Sequence, residues 1–165
     1  MTVTFHNRHR LKRKHIKHFL ADLQDKFHIP FFDDKSAIDI AQYENQKIII
    51  VDDDIDFFYY KNTIFFTLNG INKYKPKDYF VIVDMGAVGF VTNGADVMTP
   101  GIVDADMKIN PGDLVWIADE THRKPLGIGE ALLSGEDMIH QNKGKAIKNI
   151  HYIGDILWQL SRGTI

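Results

Sequence analysis

Four carboxylates lie within five positions in VDDDID, residues 51–56, and such a cluster suggests a site for a divalent cation. A calcium loop needs spaced oxygen ligands, a central glycine and a distal glutamate. Here Asp52, Asp53 and Asp54 are contiguous, no glycine separates them, and strand-like segments flank them on both sides. The sequence therefore predicts an acidic hairpin turn at this position and no metal site.

The histidines form a second possible ligand set. His151 and Asp155 stand four residues apart in HYIGD, and His140 lies eleven residues earlier. Neither a His-Glu-x-x-His helix nor a His-x-His strand pair is present, and the chain has no cysteine, so zinc would lack its usual ligands. We interpret His151 as a residue that holds a turn by hydrogen bonds, and we expect no metal and no cofactor.

Motifs for nucleophilic catalysis or nucleotide binding do not occur either. The chain contains no Gly-x-Ser-x-Gly elbow. The stretch GAVGFVTNG, residues 86–94, follows a predicted strand and opens a predicted helix, but its glycine spacing fits neither the phosphate loop nor the dinucleotide fingerprint. No set of groups suited to acid–base chemistry is present. The sequence predicts a protein without catalytic activity.

Small residues dominate the longer stretch GAVGFVTNGADVMTPGI, residues 86–102. It holds four glycines, two alanines and one proline, and Asp96 is its only ionisable residue. Such a stretch is either a tight packing corner or a surface on which the backbone itself meets a ligand. Both interpretations stay open from the residues alone, and they are compatible.

Basic residues concentrate near the N-terminus. The net charge of the chain is −2, yet residues 1–35 carry eight Lys/Arg against four Asp, and six of the eight lie between Arg8 and Lys17. Such a cluster attracts polyanions, and phosphate contact is its usual use. A solvated helix face is the alternative explanation.

Length and composition indicate a soluble globular protein of one large or two small domains. The chain has 165 residues, of which 44% are hydrophobic and 25% charged. Its apolar runs are too short to span a bilayer, and its basic start is not followed by the apolar segment of a secretory signal. We expect a cytoplasmic protein with no membrane partner.

The first half is predicted to be a helix followed by a β-meander. Apolar residues recur at helical spacing between residues 7 and 27, and Pro30 ends the pattern. They are Ile16, Phe19, Leu20, Leu23 and Phe27. Strands are predicted at Lys47–Val51, Phe57–Tyr60 and Thr63–Leu68, with turns at DDD and KN. The polar segment at 72–78 predicts domains at residues 1–74 and 75–165.

The second half alternates short strands with Gly/Pro turns, which suggests a small barrel. Short helices are predicted at 86–94 and from Gly135 onward, and a bulge is predicted near Gly127 and Gly129. The predicted strands cover residues 79–84, 95–102, 114–118, 125–135 and 149–158.

Four segments in this order resemble a PUA domain over about ninety residues. They are VDMGAVGFVTNGADVMTPGI, INPGDLVWIAD, PLGIGEALLSGEDM and GKAIKNIHYIGDILW. The ending NIHYIGDILW and the preceding helix-plus-meander together resemble the archaeal members of the malignant T-cell-amplified sequence family. The resemblance implies an α+β fold, with an N-terminal helix-plus-β-meander domain and a C-terminal PUA mixed-sheet pseudobarrel.

The resemblance also implies a function. It implies a non-catalytic RNA-binding protein that contacts a tRNA acceptor end, rRNA or the small ribosomal subunit and acts as a translation accessory factor, with a translation-factor partner. Main-chain N–H groups at a helix start would hold a phosphate at Gly86 and Ala87. The predicted RNA contacts are Arg8, Arg10, Arg13, Lys14, Gly86, Ala87, Asn93, Gly94, Ala95, Gly101, Lys143 and Lys145.

Two other functions stay open at this point. From Pro76 onward the chain carries 12 Asp/Glu against 8 Lys/Arg, whereas RNA-contacting versions of this domain are usually more basic. An acidic domain of this kind would suit a protein-interaction subunit. The second alternative is an RNA-positioning subunit of a tRNA-modifying enzyme such as a transglycosylase or a pseudouridine synthase.

Overall fold

The computed structural model describes residues 4–28 and 35–163, apart from the side chain of Phe19. The predicted break at Pro30 lies outside the described residues. Two compact units are present, Met1–Pro76 with Gln159–Ile165 and Lys77–Trp158. The sequence-based domain limits, 1–74 and 75–165, stay a prediction.

The first unit is built on a five-stranded antiparallel sheet in the order β1-β2-β3-β4-β5. Its strands are β1 (His6–Arg10), β2 (Ile38–Tyr43), β3 (Gln46–Val51), β4 (Asp54–Tyr60) and β5 (Thr63–Phe66). Its helices are α1 (Arg13–Phe27) and α2 (Leu68–Tyr74). The predicted meander is confirmed, while β1, β2 and α2 were not predicted.

Two-residue turns join β3 to β4 and β4 to β5. Asp52 and Asp53 have φ of 48° and 71°, and Lys61 and Asn62 have φ of 47° and 64°. Paired left-handed residues suit the twist of a tight hairpin, and Asp and Asn tolerate this region better than most side chains. The prediction that VDDDID is an acidic hairpin turn is therefore confirmed.

The prediction of a helix from residue 7 is wrong for its first six residues. The helix begins at Arg13, and His6–Arg10 form an exposed edge strand instead. Successive side chains alternate across a strand, so Arg8 and Arg10 share one face and both reach Asp39 on β2. The later part of the apolar stripe is confirmed, because Leu23 and Phe27 are buried and Phe27 packs against Phe66.

A buried carboxylate joins α2 to the sheet. Asp56 is 0% exposed and accepts hydrogen bonds from the Tyr74 hydroxyl at 2.6 Å, Lys73 Nζ at 2.9 Å and Asn69 Nδ2 at 3.0 Å. Burial raises the pKa of Asp56, and the hydrogen bonds from Tyr74 and Lys73 oppose that rise. Three side chains of one short helix thus meet at a single buried carboxylate.

The second unit is built on a six-stranded mixed sheet in the order β7-β11-β10-β9-β6-β8. Its strands are β6 (Phe80–Val83), β7 (Val97–Met98), β8 (Ile102–Ala105), β9 (Leu114–Asp119), β10 (Pro125–Ala131) and β11 (Lys145–Tyr152). The helices here are α3 (Met85–Thr92) and α4 (Gly135–His140), with a 3₁₀ turn at Thr99–Gly101. The last helix, α5 (Ile156–Arg162), begins in this unit and ends in the segment assigned to the first unit. Strands β6 and β9 run parallel, and the other neighbours are antiparallel.

The α+β fold is confirmed. The bulge is confirmed as well, since the pairing register shifts between Ile128 and Gly129. The predicted last strand, 149–158, is wrong beyond Tyr152. The Asp155 carboxylate accepts hydrogen bonds from the backbone N–H of Tyr152 and Trp158, at 3.0 and 2.8 Å, so a turn and α5 follow.

In the described part of the chain no helix is both long and apolar enough to cross a membrane.

Candidate functional site

A groove of about 520 Å³ lies along α3 in the second unit. Its lining is mostly apolar, with two carboxylates. The lining residues are Asp84, Gly86, Ala87, Phe90, Val91, Ala95, Asp96, Val97, Met98, Pro100 and Gly101. All of them come from α3 and from the turn, strand and 3₁₀ segment that flank it.

Local hydrogen bonds explain how the sequence builds this groove. The Asp84 carboxylate accepts from the Ala87 N–H at 2.9 Å and caps α3, while the Asp84 N–H donates to the Gly101 carbonyl. The Ala87 N–H, which the sequence analysis assigned to a phosphate, is therefore already engaged by a carboxylate. A Cβ on Gly101 would stand 3.2 Å from the Ala87 Cβ, so small residues let the 3₁₀ turn approach the helix. The 3₁₀ turn and the start of α3 therefore lie directly against each other.

The small residues of the stretch 86–102 have two roles in the structure. Gly94 serves packing, because it has φ of 86° and a Cβ there would stand 2.8 Å from the Tyr152 ring. Gly86, Ala87, Ala95 and Gly101 line the groove. The stretch is therefore both a packing corner and a concave surface.

Two apolar side chains of the groove face solvent, and the sequence analysis missed both. Phe90 is 69% exposed and Met98 is 48% exposed. No local signal marks this exposure, since MGAVGFVT is apolar on every side of its helix and such a pattern usually means burial all round. An exposed aromatic ring and a polarisable thioether offer a surface on which a flat, unstacked base can lie.

Lysines stand beside the groove. Lys145 Nζ lies 2.9 Å from Asp96 Oδ2, and the Asn149 N–H donates to Asp96 Oδ1 at 2.8 Å. These hydrogen bonds, with that from Lys145 the larger cause, hold the pKa of Asp96 below its ordinary value. The Thr99 N–H donates to the Gly144 carbonyl at 3.0 Å, which places the segment containing exposed Lys143 against the groove turn.

Two of the four predicted N-terminal RNA contacts, Arg8 and Arg10, are already paired with carboxylates. Arg8 Nε lies 2.9 Å from Asp39 Oδ2, Arg8 Nη2 lies 3.3 Å from Asp53 Oδ1, and Arg10 pairs with the other oxygen of Asp39. The Asp39 side chain is 10% exposed. Arg8 and Arg10 therefore neutralise a buried carboxylate, and the prediction that they lie on a basic helix is wrong.

Arg13 and Lys14 occupy the first turn of α1, at its positive end. The Lys12 side chain makes no capping hydrogen bond, and the first turn contains no acidic residue. Lys12, Arg13, Lys14 and Lys17 are all exposed. Cations at a helix N-terminus oppose the helix dipole, so this arrangement favours an anion from outside.

Replacing Arg8 and Arg10 together by alanine is expected to lower the free energy of unfolding by about 2 kcal/mol, because Asp39 would stay buried without a cation. Urea unfolding at neutral pH measures the change. Lys14→Ala removes an exposed cation and should shift stability by less than about 0.5 kcal/mol. Equal stability of the double variant and the wild type would contradict a structural role for the two arginines.

The Asp39 contribution should also depend on pH. Partial burial raises the pKa of Asp39, but the hydrogen bonds and charges of Arg10 and Arg8 together hold it below its ordinary value of 3.8. The stabilisation is complete above that ordinary value and is lost as the pH falls through the lower folded value. The Arg8/Arg10 variant should lack this part of the acid destabilisation.

The histidine interpretation is confirmed. His151 is 1% exposed, and its Nδ1 lies 2.9 and 3.0 Å from the two carboxylate oxygens of Asp155. The pair fixes the turn between β11 and α5. Within residues 4–28 and 35–163 no group of three or more His, Asp or Glu side chains is placed to hold a metal ion.

The predicted contacts fall into three groups. Gly86, Ala87, Ala95 and Gly101 line the groove, and Lys143 and Lys145 stand beside it. Asn93 and Gly94 follow α3 at its end. The third group, Arg8, Arg10, Arg13 and Lys14, belongs to the first unit.

Comparison with known proteins identifies both halves of the chain. Residues 79–153 match the PUA domain family, and residues 7–74 match a domain of unknown function, DUF1947. In structure the chain is similar to a hypothetical protein from Pyrococcus horikoshii OT3, with a TM-score of 0.84 and 36% identity over 93% of this chain and 99% of that one.

Three relatives show the wider family. An uncharacterized protein of Methanocaldococcus jannaschii, MJ1432, is 45% identical over 75% of this chain and 76% of its own length. Translation machinery-associated protein 20 of Saccharomyces cerevisiae is 32% identical over 92% of this chain and 86% of its own length. Malignant T-cell-amplified sequence 1 of Rattus norvegicus is 34% identical over 72% of this chain and 67% of its own length. The chain therefore belongs to the family of PUA-domain proteins that includes malignant T-cell-amplified sequence 1 and translation machinery-associated protein 20.

Proposed function

We propose that this protein is a non-catalytic RNA-binding factor that assists translation in the cytoplasm. The observation that carries the proposal is the apolar groove of the PUA domain, with exposed Phe90 and Met98 at its surface and lysines beside it. One of the relatives bears a name that refers to the translation machinery. The partners are structured RNA, either tRNA or rRNA, together with the small ribosomal subunit and a translation-factor partner.

In this proposal the groove takes a single-stranded end, such as the 3′ end of a tRNA acceptor stem. A base that has left its stack would lie on Phe90, at a gain of about 1–3 kcal/mol. The small residues Gly86, Ala87 and Gly101 leave room for the RNA backbone to approach the protein main chain. Recognition by shape and stacking needs few base-specific side chains, which suits a groove with so few polar groups.

The experiment that tests the proposal has two arms. Ultraviolet crosslinking in cells, followed by sequencing of the attached RNA, should recover tRNA or rRNA. Mapping of the crosslinked peptide should return α3 or the Lys143–Lys145 segment. Recovery of no RNA above background, together with no binding of purified tRNA at low salt, would overturn the proposal.

The start of α1 should contribute a second, electrostatic part of the affinity. Replacing Arg13, Lys14 and Lys17 together by glutamine should weaken binding about equally for all RNA sequences, because these side chains would meet phosphates. The dependence of affinity on salt should flatten by roughly one unit for each phosphate contact that is lost. The measurement is a salt titration of tRNA binding by wild type and variant.

Arg8→Gln with Arg10→Gln serves as the comparison, since it removes two cations that Asp39 and Asp53 already neutralise. This variant should leave the salt dependence near that of the wild type. An unchanged salt dependence in the Arg13/Lys14/Lys17 variant would mean that this face of α1 is only solvated.

A further inference from the structure

We propose that the loop from Glu120 to Lys124, between β9 and β10, is a further RNA-binding contact, which binds phosphates of the duplex stem next to the single-stranded end in the groove. This inference rests on the proposed function and extends it to a part of the molecule that no sequence motif marks. The ligand class is the phosphodiester backbone of double-stranded RNA.

Sheet topology places this loop beside the groove. Strands β6 and β9 are parallel neighbours, with Val83 opposite Asp119, so their carboxyl ends leave the sheet at the same edge. From that edge β6 continues through Asp84 into α3, and β9 continues into the loop. The Glu120 N–H donates to the Val83 carbonyl at 2.9 Å, one residue before the groove-lining Asp84.

A buried carboxylate holds the loop in one conformation. Asp119 accepts hydrogen bonds from the backbone N–H groups of His122 at 2.6 Å, Thr121 at 2.9 Å and Lys124 at 3.1 Å. The Arg123 N–H donates to the Asp119 carbonyl, and Arg123 has a φ of 54°. A loop fixed in this way presents its side chains without a large loss of conformational entropy on binding.

Two of the exposed side chains of this loop, Arg123 and Lys124, are cations. His122, Arg123 and Lys124 are exposed, and among the described residues neither Arg123 nor Lys124 has an ion-pair partner within 4 Å. Glu120 is the exposed acid of the loop. In contrast, Lys145 beside the groove is paired with Asp96. The loop therefore adds two cations at the strand end from which α3 and the groove begin, and such cations attract a polyanion.

A matched pair of double variants tests the inference on the full chain. Arg123→Gln with Lys124→Gln removes the loop cations. Lys77→Gln with Lys108→Gln removes the same formal charge at the opposite end of β6, since the Lys108 N–H donates to the Asp106 carboxylate and the Asp106 N–H donates to the Phe80 carbonyl. Unlike the loop cations, Lys108 is already paired, because its Nζ lies 2.6 Å from Asp78 Oδ1. The probes are an RNA hairpin with a 3′ single-stranded tail and the tail alone.

The loop variant should bind the hairpin about tenfold more weakly at physiological salt, with a salt dependence flatter by about two units for two lost phosphate contacts. Its affinity for the tail alone should stay within about twofold of wild type, and the Lys77/Lys108 variant should match wild type on both probes. Thermal unfolding of each variant confirms that it is folded. A separate wild-type measurement, the ratio of hairpin to tail affinity, should favour the hairpin.

The outcomes distinguish a failure of the proposed function from a failure of the loop inference. If wild type binds neither probe, the proposed function fails and this inference falls with it. If Ala95→Arg weakens both probes while the loop variant behaves like the Lys77/Lys108 variant, the groove function stands and the loop inference is overturned. Equal wild-type affinity for hairpin and tail would also overturn it.

Discussion

Replacing Ala95 by arginine is expected to weaken RNA binding by about 10- to 100-fold while the protein stays folded. Ala95 is exposed and lines the groove, so a long side chain there fills the space that a base would occupy. The loss corresponds to about 1–3 kcal/mol, the value of one stacked base. An added cation alone would strengthen binding to a polyanion, so weaker binding would come from blocked access.

The measurement is RNA affinity together with the thermal midpoint on the same preparation. Because Ala95 is not buried, the free energy of unfolding should change by less than about 0.5 kcal/mol. Phe90→Ala should also lower RNA affinity, and it does so without any change of charge. Ala21→Arg, at an exposed position of α1, is the control for the added cation. A folded Ala95→Arg protein with full affinity would remove the groove from the binding site.

Replacing Asp56 by alanine is expected to lower the free energy of unfolding by about 3 kcal/mol. The change would leave Tyr74 Oη and Asn69 Nδ2 without their acceptor and would remove the buried partner of Lys73. Since α2 contacts β4 through this carboxylate, the first unit should lose stability. Urea unfolding followed by far-ultraviolet circular dichroism measures the effect.

Asp54→Ala is the matched control. Asp54 lies two residues earlier and contacts the same Lys73 Nζ at 3.2 Å, but it is exposed, so its removal should cost less than about 0.5 kcal/mol. Similar stabilities for the Asp56 and Asp54 variants would show that the buried network contributes little. The comparison separates burial from charge, because both variants lose one carboxylate beside one lysine.

Features set by neighbouring residues were predictable from the sequence. The helix predicted at 86–94 corresponds to α3, because Asn93-Gly94 is a stop signal that acts within one turn. The acidic hairpin at Asp52 and Asp53 follows from local turn chemistry flanked by β-prone runs. The fold of the second unit was predicted from its resemblance to a PUA domain, because the motifs of that domain lie in order along the chain.

Features that depend on distant partners were not predictable in this way. Residues 7–12 continue a helical pattern locally, but Asp39, 31 residues beyond Arg8, binds both Arg8 and Arg10 and holds them on a strand. The same pairing removes two cations from the predicted RNA contacts. Composition counts charges, whereas only the fold shows which charges are already neutralised.

The sequence alone determined that this is a two-part α+β chain with a PUA domain and a stretch of small residues shaped for close approach. Only the tertiary structure decided that Phe90 faces solvent and that the loop at Arg123 stands beside the groove. The helix α3 is apolar all round, so its local pattern predicts burial, yet Phe90 is exposed among the residues that the structure describes. The loop leaves the sheet next to the start of α3 because β6 pairs in parallel with β9, a contact between strands more than thirty residues apart that no local pattern encodes.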